Sequence, residues 1–251
     1  MIITLLPAYN EENSLPKLFP SLREVLREFG EYRIIVVDDG SSDTTPIILN
    51  DLKKEYPLTV LTHEKNMNLG RAMLTGFSYI RDNITDEALV ITMDADNTHP
   101  PSTIKTLIEN AGKGDIGIAS RYQQGGSEKG LSGMRSIMSK GANGLLDLAF
   151  KIPNVRDYTC GFRLYHPAII KKGFRIFGDD FISEIGFTAM AEILIKLYFI
   201  GAKFYEVPLE LRYDLKGSPS KMKIIKTVMR YFTLIKKLRT IKKTVNYRED
   251  S

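Results

Sequence analysis

A chain of 251 residues, 43% hydrophobic and 26% charged, has the length and balance of one large or two small folded domains and excludes a disordered or fibrous protein. The single cysteine, Cys160, excludes an internal disulfide and fits a reducing compartment. The net charge of +5 conceals a division: ten basic residues and no acid lie from Lys216 to Lys243, whereas residues 1–215 hold 24 basic and 28 acidic groups, a net of −4.

The opening residues MIITLLPAYN carry no basic n-region, so no signal peptide is expected. Apolar runs at 2–6, 33–37, 58–61, 88–93 and 116–119, rich in Ile and Val, are predicted strands. Between the first two, Leu15, Leu18, Leu22, Val25, Leu26 and Phe29 recur at helical spacing, with Asn13 or Ser14 as cap and Pro16 in the first turn. Residues 71–80, 102–111 and 132–150 are further predicted helices. The apolar run 193–202 contains Lys196 and is about half the length of a membrane span. Alternation of strand and helix predicts an α/β fold, with a mostly parallel sheet flanked by helices and ligands at the carboxyl ends of the strands.

Three predicted strands end in polar clusters: PAYNEE after the first, DDGSSD after the second and DADNTH after the fourth. In a parallel sheet these clusters share one rim, where the carboxylates repel one another unless cations or donors offset them. Taken singly, DDGSSD also reads as a turn and helix cap, and PAYNEE as a loop. In DADNTH, an extended backbone would point Asp94 and Asp96 to the same side, which suits a hard divalent ion that keeps positions for water and phosphate oxygens. His99, beside two prolines, reads as a loop residue. Neither a G-x-G-x-x-G nor a G-x-x-x-x-G-K-[ST] loop is present, so a phosphate ligand needs another cradle.

In order, PAYNE, VVDDGSSD, NMNLGRA, DADNTHPP, ASRY, Arg135 with Ser139, TCGFRLY and EVPL resemble glycosyltransferase family 2, and within it the polyprenyl-phosphate hexose synthases. The resemblance runs from Ile2 to around Lys221. It implies a GT-A, Rossmann-like catalytic domain over residues 1–215, followed by a basic amphipathic segment over 216–251. It places a nucleotide-sugar against Pro7, Tyr9, Glu11, Val37 and Asp38, with Asn66, Gly70 and Ala72 in the loop closing over it. It makes Asp94 and Asp96 the seat of Mg²⁺ or Mn²⁺, with Asp94 also facing the donor and Thr98 standing where a Gln is common. Arg121, Arg135 and Ser139 match positions that gather an acceptor phosphate, for which the planar, permanently charged Arg fork is suited. Asp157, Gly161, Phe162 and Arg163 match the wall behind the acceptor. The stretch after Arg212 is longer than the family's usual Arg followed by G-x-S-K, leaving Arg212, Lys216 and Lys221 as alternative phosphate contacts.

The implied reaction is metal-dependent, inverting transfer of a hexose from GDP-mannose or UDP-glucose to a polyprenyl or dolichyl phosphate. A phosphate is already anionic near neutral pH and needs cations more than a strong base. The chain has no tryptophan, which excludes the Gln-x-x-Arg-Trp block of processive members. The alternatives are transfer to a sugar hydroxyl, for which a base would be required, and a nucleotide-sugar-binding module without turnover. In the basic end, Met222, Ile225, Met229, Phe232 and Ile235 recur at helical spacing, with Val228, Leu238 and Ile241 near the same stripe. Such a helix either lies on an anionic membrane surface or packs on the domain. The expectation is a peripheral enzyme on the cytoplasmic face of a membrane. No nucleic-acid motif is present, and none is expected as a partner.

Overall fold

The computed structural model describes residues 1–130, 133–216 and 224–249. Its main sheet has seven strands in the order β3-β2-β1-β4-β7-β5-β8. These are β1 (Ile2–Ala8), β2 (Tyr32–Asp38), β3 (Leu58–Thr62), β4 (Leu89–Thr92), β5 (Ile116–Ser120), β7 (Arg163–Tyr165) and β8 (Phe204–Pro208). Two short strands, β6 (Ser127–Lys129) and β9 (Glu210–Arg212), pair in parallel as a separate ribbon. All the predicted strands form, and β1, β2, β3 and β4 run parallel.

The helices are α1 (Leu15–Leu26), α2 (Thr45–Glu55), α3 (Leu69–Asn83), α4 (Thr103–Glu109), α5 (Gly133–Phe150), α6 (Pro167–Phe177), α7 (Thr188–Phe199) and α8 (Ile224–Glu249). They cover both faces of the sheet, so strand residues are buried on alternate sides and the strands read as continuous apolar runs. Leu6, Ile34, Val36 and Ile91 pack with α1 and α4, through residues such as Leu18, Leu22 and Ile104. Leu5, Ile35, Val37 and Val90 pack on the other face with Phe77, Leu146, Ile170 and Leu194. Ser14 is the cap position of α1, but its hydroxyl makes no capping bond.

The sheet departs from the sequence expectation at β7. This three-residue strand runs antiparallel between β4 and β5, its Leu164 opposite both Ile91 and Gly117. It is too short and too polar at Arg163 to show a strand period in sequence. Its place in the sheet brings Gly161 beside the end of β4, where the Thr92 hydroxyl donates to the Gly161 carbonyl at 2.7 Å.

Helix α7 is buried almost throughout, including Glu192 and Lys196, whose carboxylate and ammonium pair at 2.8 Å. The same carboxylate accepts the backbone N–H of Ser183 and Glu184 at 2.8 and 2.7 Å. Among the described residues no helix is long and apolar enough to cross a membrane.

Helix α8 packs against α5 and α7, and it corrects the stripe read from sequence. The face turned inward is Tyr231, Leu234, Ile235 and Leu238, while Met229 and Phe232 are exposed. A 3–4 residue spacing is shared by two adjacent faces of one helix, and only the neighbouring helices select between them. Met222 lies outside the described residues, and so do the side chains of Ile225 and Val228.

Candidate functional site

Because β2, β1 and β4 are parallel neighbours, their polar ends meet on one rim. The first two ends are stitched together. The Asn10 backbone N–H donates to Ser41 Oγ at 2.9 Å, and the Ser42 N–H returns to Asn10 Oδ1 at 2.8 Å. Glu12 accepts the Thr44 hydroxyl at 2.6 Å. Asp38 is buried and accepts the Ser41 N–H at 3.0 Å, so part of DDGSSD is indeed turn chemistry. Pro7 and Tyr9 are half-buried beside this rim. Val37, by contrast, is fully buried in the sheet core, and Ala72 packs in the same cluster. Both are core residues and do not reach the rim as the resemblance implied.

A second layer holds the loop that carries Asn66. Asp39 accepts from His63 Nδ1 at 2.7 Å and from the Met67 N–H at 2.8 Å, and His63 Nε2 meets the Thr75 hydroxyl at 2.9 Å. Gly40, at φ 68°, lies so close to this loop that a Cβ there would stand 2.4 Å from the Lys65 carbonyl carbon. Gly70 opens α3 against residues 184–185. Its N–H donates to the Ile185 carbonyl at 3.0 Å, and a Cβ would meet the Glu184 oxygen at 1.8 Å. Only glycine fits that approach. Nothing in the sequence periodicity pointed to Asp39, His63 or Thr75, which act through contacts distant along the chain.

The DADNTH segment is not extended. β4 ends at Thr92, and Asn97 adopts φ 66°, so a turn places Asp94 and Asp96 and strand alternation does not. The Asp96 side chain is 9% exposed, and its oxygens accept the Thr98 hydroxyl at 2.6 Å, the Thr98 N–H at 3.1 Å and the Lys216 ammonium at 2.5 Å. His99 is more than a loop residue. Its Nδ1 accepts the Asp94 N–H at 3.0 Å, its ring stacks on Phe162, and its Nε2 stands 4.0 Å from the Asp94 carboxylate. Partial burial, with 40% of its side chain still exposed, raises the Asp94 carboxyl above its ordinary value, and the neighbouring Asp96 charge adds to that. Burial acts on Asp96 in the same direction, but Lys216 outweighs it and holds that carboxyl low.

These oxygens suit a hard divalent ion: a cation already stands on Asp96, and the Asp94 carboxylate is the one whose charge is poorly offset. Among the described residues no set of three or more His, Cys, Asp or Glu converges to hold an ion. An ion here would therefore complete its shell with Thr98, water or ligand oxygens.

Of the three alternative cations at the chain's end, Lys216 reaches this rim. Arg212 is paired instead with Asp214 at 2.7 Å, and Lys221 lies outside the described residues.

Beyond β7 lies a second centre, built around a guanidinium. Arg121, just after β5, has a side chain only 9% exposed. Its Nε and Nη2 each donate to Asp157 at 2.7 Å, Nη2 also donates to Thr159 at 2.8 Å, and Nη1 donates to Ser139 at 3.0 Å and Glu128 at 3.2 Å. Burial opposes the charge on both partners, yet the pairing holds the Asp157 carboxyl low and keeps Arg121 charged. Ser139 also meets the Tyr122 hydroxyl at 3.1 Å. Arg135 sits on the backbone of α5 one turn before Ser139, and its side chain lies outside the described residues. Sequence reading missed Glu128, which carries no periodic or motif signal, and gave no role to Thr159, although it opens the TCGFRLY motif.

The wall residues separate into two roles. Gly161 lies at the acidic pair, since a Cβ there would be 3.6 Å from Asp94 Oδ1. Arg163 is fully buried away from the rim and donates to the Met190 and Tyr158 carbonyls at 2.8 and 2.9 Å. Cys160 is buried, and burial raises its thiol to about 12, consistent with packing.

Residues 4–174 match the family model described as glycosyl transferase family 2. A dolichol-phosphate mannosyltransferase of Pyrococcus furiosus is 33% identical over 239 residues, covering 94% of this chain and 63% of that protein. A polyprenol monophosphomannose synthase of Mycolicibacterium smegmatis is 30% identical, covering 68% of this chain and 63% of that protein. A dolichyl-phosphate beta-glucosyltransferase of Trichomonas vaginalis is also 30% identical, covering 92% of this chain and 71% of that protein. The chain thus spans just under two thirds of the first two relatives. Among solved structures, glucosyl-3-phosphoglycerate synthase of Mycobacterium tuberculosis, in complex with Mn²⁺, UDP and phosphoglyceric acid, superposes with a TM-score of 0.66 at 16% identity. That match covers 94% of this chain and 78% of the other, and it establishes a shared GT-A fold.

Proposed function

Because the chain belongs to glycosyl transferase family 2, we propose that it is a hexosyltransferase moving a sugar from a nucleoside diphosphate sugar to a polyprenyl phosphate. The observation that carries this reading is the placing of two charged centres on either side of β7. An acidic pair follows β4, and a buried guanidinium with serine hydroxyls follows β5. The relatives' names supply the substrate class: two are mannosyl enzymes and one a glucosyl enzyme, all acting on polyprenol-type lipids. At 30–33% identity they differ in sugar, so the hexose is left open.

In this reading Pro7, Tyr9, Glu11 and Asp38 receive the nucleotide, and the loop with Asn66 closes on it, its position held by Asp39 and Gly70. Asp94 and Asp96, with the Thr98 hydroxyl beside them, would hold Mg²⁺ or Mn²⁺, so that negative charge growing on the leaving diphosphate is neutralised there. Lys216 then exchanges its contact with Asp96 for the donor's phosphate oxygens. On the other side, Arg121, Arg135 and Ser139 hold the acceptor phosphate, whose oxygen attacks the anomeric carbon opposite the leaving group. One C–O bond forms as the other breaks, with inversion. The acceptor arrives deprotonated, so no side chain need remove a proton.

The basic helix α8 serves as a membrane contact on the cytoplasmic face. Exposed Met229 and Phe232 lie beside an open groove of about 430 Å³ lined by Phe232, Ile235, Lys236, Arg239 and Thr240, a mixture suited to anionic lipid headgroups. Helix α5 adds exposed Ile137 and Leu148. The test of function is product formation from labelled GDP-mannose and UDP-glucose with a short polyprenyl phosphate and Mn²⁺. Transfer to the free polyprenol, with none to the phosphate, would overturn the acceptor assignment.

A further inference from the structure

We propose that Glu128 occupies the seat of the acceptor's phosphate and so sets acceptor affinity and selects phosphates over neutral hydroxyls. This rests on reading the Arg121 centre as the acceptor site. Every N–H of the Arg121 guanidinium is already committed within the protein. A phosphate can therefore reach it only by taking the place of a present partner.

The partners are unequal. Asp157 is fully buried, engages Nε and Nη2 together, and also accepts the backbone N–H of Arg121, Thr159 and Cys160 at 3.2, 3.3 and 3.0 Å. Removing it would dismantle the loop that holds Thr159 and Cys160. Glu128 touches Nη1 alone, with one oxygen at 3.2 Å, while its other oxygen accepts the Ser136 hydroxyl at 2.8 Å. Its carboxylate thus lies across donors from Arg121 and α5, one turn from Ser139, as a phosphate's oxygens would.

The exchange is a matter of one side chain on a fixed backbone. Glu128 is the middle residue of β6, whose ribbon with β9 stands outside the main sheet. Gly125 and Gly130 flank it at φ 89° and 74°, conformations that glycine adopts without a steric penalty. Rotation of the Glu128 side chain about its own bonds vacates the seat while Asp157, held by three backbone N–H groups, stays fixed.

Charge gives the exchange its selectivity. With both carboxylates seated, the one guanidinium is outnumbered and the cluster of Arg121, Asp157 and Glu128 carries a surplus negative charge. An incoming phosphate is repelled unless Glu128 leaves, and once it has left, Nη1 and Ser136 Oγ are open to phosphate oxygens. A phosphate can outcompete a carboxylate for a guanidinium. A neutral hydroxyl brings no charge with which to do so, and for it the seat stays closed.

Glu128→Gln tests this, since it keeps size and one acceptor oxygen while removing the charge. With a short polyprenyl phosphate and saturating donor, the acceptor KM should fall roughly fivefold, scaling with the fraction of molecules in which the carboxylate is seated. The change should fall on acceptor KM and on inhibition by inorganic phosphate, and not on donor KM. An unchanged or raised acceptor KM would show that Glu128 merely props Arg121, and would overturn the proposal. If the wild type transfers to no polyprenyl phosphate, the acceptor reading itself fails. Calorimetric titration with inorganic phosphate then decides the role of Glu128: tighter binding to the Gln form supports an occupied anion seat, and equal affinity refutes it.

Discussion

At the end of β4 two carboxylates, Asp94 and Asp96, share a rim, and one ammonium, Lys216, crosses from beyond β9 to sit on Asp96. After β5 one guanidinium, Arg121, is divided between two carboxylates, Asp157 and Glu128. Each centre is offset by a side chain from the same region, since Glu128 lies on β6 and Lys216 follows its partner strand β9. The difference lies in depth. Asp157 is a buried, fully bonded partner, whereas Lys216 and Glu128 each hold through a single charged contact, which makes them the partners proposed to give way to ligand.

The largest expected effect breaks the deep partner. Asp157→Ala leaves the Arg121 charge buried without its main counterion and should cost about 3–5 kcal/mol of stability, read from urea unfolding. The pH dependence follows from the lowered Asp157 carboxyl. A carboxylate whose folded value is depressed contributes stability above its unfolded value and loses it as pH falls through the folded value. The stability gap between wild type and Asp157→Asn should therefore be full near neutrality, shrink below the ordinary carboxylate range and close in stronger acid. A gap independent of pH would sink the ion-pair account.

Asp96→Ala tests the donor side. It should lower kcat by about 10²–10³ with Mn²⁺ present, in the range seen when a transition-state stabilising group is removed, while leaving the urea midpoint nearly unchanged. Lys216→Met sharpens the contrast further. It removes the cation that competes for Asp96, so Mn²⁺ should bind the protein alone several-fold more tightly, measurable by electron paramagnetic resonance without any turnover. Weaker Mn²⁺ binding would mean that Lys216 orders the acidic pair instead of occupying it. The smallest effect concerns α8. Lys236→Glu and Arg239→Glu should each weaken sedimentation with anionic vesicles by about 1 kcal/mol, and the loss should vanish in high salt.

Much of this molecule was legible from residues close together in the chain. The runs of Ile and Val fixed the five predicted strands because a sheet covered on both faces demands apolar side chains on both sides. Leu15, Leu18 and Leu22 marked α1 for the equally local reason of helical period. The motif order, from PAYNE to EVPL, carried family membership, and Asp94 and Asp96 stood out as carboxylates at the end of an apolar strand.

Tertiary structure decided what depends on distant partners. β7 became a strand only by lying between β4 and β5. The inward face of α8 was chosen by α5 and α7 from two faces of equal period. Lys216 was singled out from Arg212 because it alone of the two lies on Asp96, 120 residues away. Glu128 and Asp157 meet on Arg121 from segments 7 and 36 residues distant. Side-chain type and period are properties of neighbours along the chain. Which charge cancels which is a matter of distance in space, and that the folded sheet alone determines.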